Sequence, residues 1–286
     1  MRLGTQHLDL RRRVAVMGVV NRTPDSFYDR GATLDLDAAL ALAERHVRAG
    51  ADIIDIGGVR AGPGDEVDLR AELARVLPFV EAFRERWMTP LSVDTFRPEV
   101  ADAALEAGAD IVNDVTGLSD PGVADVVAAH PHTALVLTHH GGPRRSRPFR
   151  PDYEPDVITA VRQRWRQLVD LAVSRGVPRG QLIVDPGHDM YKTTAHSLEL
   201  TRRLDELVGL GHPVLVALSN KDFLGEALDL PPDRRGAASL AATVYSVLRG
   251  ARIVRVHDVE ATVHGVRLTE VLEGWRAPAR QLRGLD

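Results

Sequence analysis

Short apolar runs that stop on a polar residue recur along the whole chain. Residues 14–20 end at Asn21, Asp52-Ile-Ile-Asp-Ile56 opens into Gly57-Gly58, Leu91-Ser-Val93 stops at Asp94, and Ile111-Val112 at Asn113-Asp114. Further on, residues 134–138 give way to His139-His140, Leu182-Ile-Val184 to Asp185, residues 214–218 to Ser219-Asn-Lys221, and residues 253–256 to His257-Asp258. Each run is short and rich in β-branched residues, the pattern of a strand buried on both faces of a parallel sheet. Between them the spacing turns helical. Leu36, Ala39, Leu40, Ala43 and Val47 repeat on one face and are closed by Gly50. Similar stretches cover 68–87, 98–107, 123–129, 155–175, 198–208, 237–248 and 269–275. Eight strand-then-helix units in 286 residues predict an α/β fold, a closed (β/α)8 TIM barrel, rather than an open doubly wound sheet. The expected organisation is an N-terminal extension at 1–13, the barrel at 14–280 and a tail at 281–286.

Composition narrows the classes. Hydrophobic residues make up 44% and charged residues 27%, as in ordinary globular proteins. A net charge of -4 argues against nucleic acid or an anionic membrane as partner. There is no cysteine, which excludes disulfides, thiolate metal sites and a cysteine nucleophile, and suits a cytoplasmic location. The apolar run after Arg11-Arg12-Arg13 is too short for a secretory core or a membrane span, so a soluble protein is expected.

In a (β/α)8 barrel the C-terminal strand ends share one mouth. Here that mouth receives Asn21, Asp55, Asp94, Asn113, Asp114, His139, Asp185, Lys221, Arg255 and His257. Asp94, Asn113, Asp185 and Lys221 supply donors and acceptors suited to the edge of a flat, nitrogen-rich heterocycle. Asn21, Arg255 and His257 supply the fork and point donors that bind phosphate oxygens. One side is suited to a ring and the other to an anion.

Met17-Gly-Val-Val-Asn-Arg-Thr-Pro-Asp-Ser-Phe27, Ala51-Asp-Ile-Ile-Asp-Ile-Gly-Gly58, Ser92-Val-Asp-Thr95, Ile111-Val-Asn-Asp114, Asp185-Pro-Gly187, Ser219-Asn-Lys221 and Arg255-Val-His257 together resemble the dihydropteroate synthase family. The family joins 6-hydroxymethyl-7,8-dihydropterin diphosphate to 4-aminobenzoate, releasing diphosphate, on a (β/α)8 barrel. The resemblance implies that Asp94, Asn113, Asp185, Lys221 and Arg255 bind the pterin. Asn21, Arg255 and His257 would bind the diphosphate, with Mg2+ at Asn21. Asp94, Lys221 and Arg255 would be catalytic, through electrostatic stabilisation of departing diphosphate and a pterin cation. Arg22, Pro24, Asp25, Phe27, Arg60, Pro63, Met190 and Ser219 fall in the loops around the second substrate, an arylamine. The family also implies a homodimer through outer helices.

The departures from the family pattern are concentrated. Glu-Ser-Thr-Arg-Pro-Gly becomes Val59-Arg60-Ala61-Gly62-Pro63-Gly64, so a threonine and an arginine of the second-substrate side are lost. Ile-Gly-Phe-Gly-Lys becomes His188-Asp189-Met190-Tyr191-Lys192, and Ser-Arg-Lys-Ser becomes Ser219-Asn220-Lys221-Asp222. Each lost charge-assisted donor is worth about 1.5–3 kcal/mol. The expectation is a paralogue with the pterin pocket kept and condensation weak or lost, with a fully active synthase as the alternative. Arg22 or Arg60 is expected to approach Asp25 and close the two loops. A metal-dependent barrel hydrolase would use His139, His188 and Asp258, but strand one lacks the His-x-His pair and strand four the lysine. A non-enzymatic pterin- or phosphate-binding protein would keep the pocket without turnover. A corrinoid methyltransferase would need a partner domain that is absent here. Arg144-Arg145-Ser-Arg147-Pro-Phe-Arg150 reads as a solvated loop, or as a flap for an acidic substrate. Trp87, Trp165 and Trp275 read as packing residues on helices.

Overall fold

A computed structural model describes residues 1–4, 6–22, 34–59, 67–142 and 151–283. The apolar runs form eight parallel strands: β1 (Ala15–Asn21), β2 (Ile53–Gly57), β3 (Leu91–Asp94), β4 (Ile111–Asp114), β5 (Ala134–Thr138), β6 (Leu182–Asp185), β7 (Leu215–Val216) and β8 (Ile253–Val256). Neighbours in the sheet run from β6 down to β1 and then to β8 and β7. A parallel bridge between Val184 and Val214, with the Val184 N–H donating to the Pro213 carbonyl at 3.0 Å, joins β6 to the segment entering β7. The sheet thus curls into a nearly closed TIM barrel surrounded by helices.

Strand parity divides the core in two. Side chains alternate between faces, so Ala15, Met17, Ile53, Ile111, Val136 and Ile183 fill the barrel interior. Their neighbours Val16, Ile54, Val112, Leu135, Leu137 and Val184 face the helices. These include α1 (Leu36–Arg48), α2 (Leu69–Arg84), α3 (Pro98–Glu106), α4 (Gly122–Ala129) and α5 (Val157–Ser174). Three expectations change after β6. The helical stretch at 198–208 is two pieces, α6 (Thr194–Arg202) and α7 (Asp205–Val208), and a further helix, α8 (Asp222–Leu228), begins directly at Lys221. After α9 (Gly236–Leu248), the last helix, α10 (Val259–Leu272), starts well before 269 because the Asp258 side chain caps it, accepting from Ala261 N at 3.1 Å.

The bottom of the barrel is covered by a short N-terminal hairpin, Arg2–Leu3 paired with Gln6–His7. Leu3, Leu8 and Leu10 join the interior cluster, while Gln181 Nε2 donates to the Arg2 carbonyl at 2.8 Å. Leu3, Leu8 and Leu10 thus form an apolar stopper below the interior, while Arg2, Gln6 and His7 stay exposed. Leu3 is 1% exposed. Leu3→Ala is expected to lower unfolding stability by about 2–5 kcal/mol in a denaturant titration. A loss below about 1 kcal/mol would contradict the stopper role.

Candidate active site

The same parity that hides Met17 and Ile53 at the bottom turns polar side chains inward at the top. Asp55 lies level with Ser92 across β2 and β3, and Asp94 with Asn113 across β3 and β4. From β8 comes Arg255, level with Met17. Its Nε donates to Asp55 Oδ2 at 2.7 Å and its Nη2 to Asp94 Oδ2 at 3.2 Å. Asn113 Nδ2 reaches the other Asp55 oxygen at 3.5 Å. Asp114, one residue on, points the opposite way and caps the next turn, accepting from Thr116 N and Leu118 N. Gly57 keeps the space between Asn21 and Asp94 open: a β-carbon there would lie 3.9 Å from Asn21 Oδ1 and 3.5 Å from Asp94 Cβ.

The β6 end carries Asp185, whose Oδ1 accepts from Gly187 N at 2.7 Å. Its carbonyl accepts from Trp165 Nε1 at 3.1 Å and from His139 N at 2.8 Å, so this tryptophan anchors the strand end as well as packing. Gly187 has φ +65°, and any β-carbon would collide with the His139 carbonyl. Lys192 then folds back beneath the loop. Its ammonium donates to the carbonyls of His139, Gly187 and Met190 at 3.0–3.2 Å and meets His139 Nδ1 at 2.9 Å. Asp189 and Tyr191 both hold left-handed backbone, with φ of 62° and 56°. These are the two positions at which the family motif has glycine, so the loop keeps a glycine-shaped backbone while carrying side chains. The cost is roughly 1–2 kcal/mol per residue, less for aspartate.

Lys221 donates to the His188 carbonyl, and the charges of Asp189 and Asp185 act against the lowering of its pKa by burial. Ser219 Oγ meets His257 Nδ1 at 3.0 Å. Asn220 is left-handed, with φ 59°, and its side chain turns to Ser239 rather than to the mouth. Its carbonyl accepts from Arg235 Nη1, which also pairs with Asp222, both at 3.0 Å. Met190 is half-buried. Arg22 spends its guanidinium on backbone, donating to the Leu34 carbonyl at 2.8 and 3.1 Å and to the Arg75 carbonyl at 2.6 Å. The expected partner Asp25 lies outside the described residues, as do Pro24, Phe27, Arg60, Pro63 and the basic run 144–150. His188 stacks on Phe223 with Nε2 at Thr201, apart from His139 on Lys192. Among the described residues no three His, Cys, Asp or Glu side chains group as metal ligands. Asn21 offers one amide oxygen, which fits a magnesium ion that keeps waters and takes its remaining ligands from phosphate. Lys192, Asp189 and Arg235 were not among the mouth residues expected from sequence, and Asp55 was placed there without a binding role. The strand-end position of Asp55 carried that signal, whereas the carbonyl partners of Lys192 leave none.

One guanidinium cannot neutralise two carboxylates. Asp55, wholly buried and closer to Arg255, is the better paired. Burial, opposed by Arg255 and reinforced by Asp55, pushes Asp94 up to about 8. Lys192 is pushed down to about 7 by burial and then by Lys221. Burial raises Asp185 and lowers Lys221, each shift opposed by the other's charge. Asp94 ionises early in the unfolded chain and late in the folded one. It therefore destabilises the fold progressively from about pH 4 to about pH 8. Asp94→Asn should gain stability relative to the parent as pH rises through that window, measured by denaturant titration at both ends; a gap that stays constant or moves the other way would contradict the assignment.

The pterin binding enzyme family matches residues 17–257. Inactive dihydropteroate synthase 2 of Mycobacterium leprae (strain TN) is 48% identical over 278 residues, covering 96% of this chain and 95% of that protein. The dihydropteroate synthase of Synechocystis sp. is 41% identical over 277 residues, covering 96% of this chain and 94% of its own. A crystal structure of Yersinia pestis dihydropteroate synthase with a sulfonamide drug complex superposes with a TM-score of 0.91 at 36% identity, covering 96% of this chain and 99% of that one. The chain therefore belongs to the pterin-binding enzyme family, as a divergent dihydropteroate synthase-like paralogue.

Proposed function

We propose that the protein binds a pterin in the barrel mouth and condenses 6-hydroxymethyl-7,8-dihydropterin diphosphate with 4-aminobenzoate weakly or not at all. The carrying observation is a contrast within one site. The ring side is assembled, with Arg255 held by Asp55 and Asp94 and with Asn113 alongside. On the other side, the residue where the family has an arginine is Asn220, turned to Ser239. The name of the M. leprae relative, an inactive synthase, agrees with that contrast.

In this reading Asp185 accepts from the guanidine-like edge of the pterin, and Lys221 and Asn113 complete the ring's polar contacts. Arg255 lies against the ring, and Asp94 faces any positive charge that develops on it. Asn21, Arg255 and His257 form the diphosphate end, with Ser219 holding the His257 imidazole. Asn21 would hold magnesium there, and the ion would offset charge on departing diphosphate. Arg22 and Met190 border the arylamine side. Among the described residues no helix is long and apolar enough to cross a membrane, which is compatible with a cytoplasmic protein. Tyr245 and Leu248 on α9 and Leu268 and Leu272 on α10 are exposed on adjacent helices, an apolar face suited to a homodimer.

Two measurements in one preparation test the activity. Calorimetry with the pterin diphosphate and magnesium should show binding, and addition of 4-aminobenzoate should release little or no diphosphate. Aminobenzoate-dependent turnover at about 1 s⁻¹ or faster would contradict the proposal. Asp185→Ala should weaken pterin binding by about 10- to 100-fold, the worth of a charge-assisted bond, and an unchanged Kd would remove Asp185 from the site. Sedimentation should find a dimer that Leu268→Glu with Leu272→Glu converts to monomer; a parent protein that sediments as monomer would contradict the dimer.

A further inference from the structure

Asp189 stands on left-handed backbone, with φ 62°, a conformation that glycine adopts without penalty and other residues adopt at a cost. What the position gains is a carboxylate that joins three elements. Oδ1 accepts from Ser197 Oγ on α6 at 3.1 Å, and Oδ2 accepts from Phe223 N on α8 at 3.3 Å. The Asp189 N–H donates to the same Ser197 Oγ at 3.1 Å, so one buried hydroxyl holds both the backbone and the side chain of the residue.

The start of α8 explains this choice of partner. Its N-cap position is Lys221, whose side chain has donors only and makes no cap hydrogen bond. A free N–H of the first turn is left for an acceptor from elsewhere, and Asp189 supplies it. The turn at which Lys221 leaves the β7 end is thereby tied to the β6 loop. A second tie runs the other way, the Lys221 ammonium donating to the carbonyl of His188, the residue before Asp189. The His188 ring stacks on the Phe223 ring, 5.7 Å between centroids, so the tied segments also pack together. Burial lowers the Lys221 pKa, and the Asp189 charge is the foremost influence against it. Asp185 is directed separately, by Gly187 N, Trp165 and the Lys192 cage.

We infer that Asp189 is a positioning residue for Lys221: within the pterin-binding reading proposed above, its hydrogen bonds to Ser197 and Phe223 hold the β7 end so that the Lys221 ammonium meets the ring. Asp189 acts through Lys221, not by contact with the pterin.

The test is calorimetry of 6-hydroxymethyl-7,8-dihydropterin binding to the full chain and three variants at one pH. Asp189→Gly, which suits the backbone, should weaken binding about tenfold or more, the worth of the charge-assisted bond that Lys221 supplies. Asp189→Asn tolerates the same backbone and keeps an amide oxygen for Phe223 N and an amide N–H for Ser197 Oγ. Its Kd should therefore return to within about threefold of the parent's. Ser197→Ala, on α6, loosens the same carboxylate and should weaken binding by about threefold or more, a readout that stands even if Asp189→Gly does not fold. A Kd that Asp189→Gly or Ser197→Ala leaves unchanged, whatever the loss of stability in a denaturant titration, would overturn the inference and make the residue purely structural. Asp189→Asn as weak as Asp189→Gly would also overturn it, since charge and not hydrogen bonding would then act on Lys221. A parent protein that binds no pterin would overturn the pterin reading itself, and this inference with it.

Discussion

The site depends on one arginine shared by two buried carboxylates. Arg255 enters from the last strand and reaches Asp55 and Asp94 on the second and third, so it ties the beginning and end of the chain together across the barrel interior. Buried charge persists only where it is paired, and removing one partner leaves the others exposed to the full desolvation penalty. The guanidinium pairs with Asp55 and opposes, without cancelling, the burial that pushes Asp94 up to about 8. Below this level Leu3, Leu8 and Leu10 close the interior with apolar side chains, a low-dielectric surrounding in which the network's interactions are strong.

A second constraint is the loop after β6. Gly187 has no room for a side chain, Lys192 gathers three backbone carbonyls, and Trp165 holds the Asp185 carbonyl from behind. These contacts set the direction of Asp185 independently of what the loop's other side chains are. The loop can then carry Asp189 and Tyr191 in left-handed conformations without losing its course. In the reading proposed above, the ring-binding half of the mouth is thereby insulated from changes in the half that would meet the anion and the arylamine.

Much of this was legible in the sequence because strand parity is a local property. Apolar runs ending on Asn21, Asp94, Asn113 and Asp185 put their polar residues at one rim, whereas Asp114, expected at the same mouth, faces the opposite way from Asn113 and caps the next turn. Other features carry no local signal. The pairing of Arg255 with Asp55 spans 200 positions, and the carbonyl cage of Lys192 is backbone, which no residue pattern announces. Asn220 turning to Ser239, and Arg235 bonding its carbonyl, depend on how α9 packs behind the seventh strand end. Arg22 is charged and beside a loop rich in polar residues, so a carboxylate partner was a natural expectation. Its described partners are the Leu34 and Arg75 carbonyls, which hydrogen-bond a buried guanidinium, and Asp25 lies outside the described residues.

In the reading proposed above, the ring side is intact and the rewritten anion side limits condensation. The most direct measurement is aminobenzoate-dependent diphosphate release by the double substitution Gly62→Arg with Asn220→Arg, compared with the parent under saturating pterin diphosphate and magnesium. The account predicts a rise of at least about tenfold, equivalent to about 1.4 kcal/mol of recovered transition-state stabilisation. An unchanged rate in a variant that still binds pterin would contradict it.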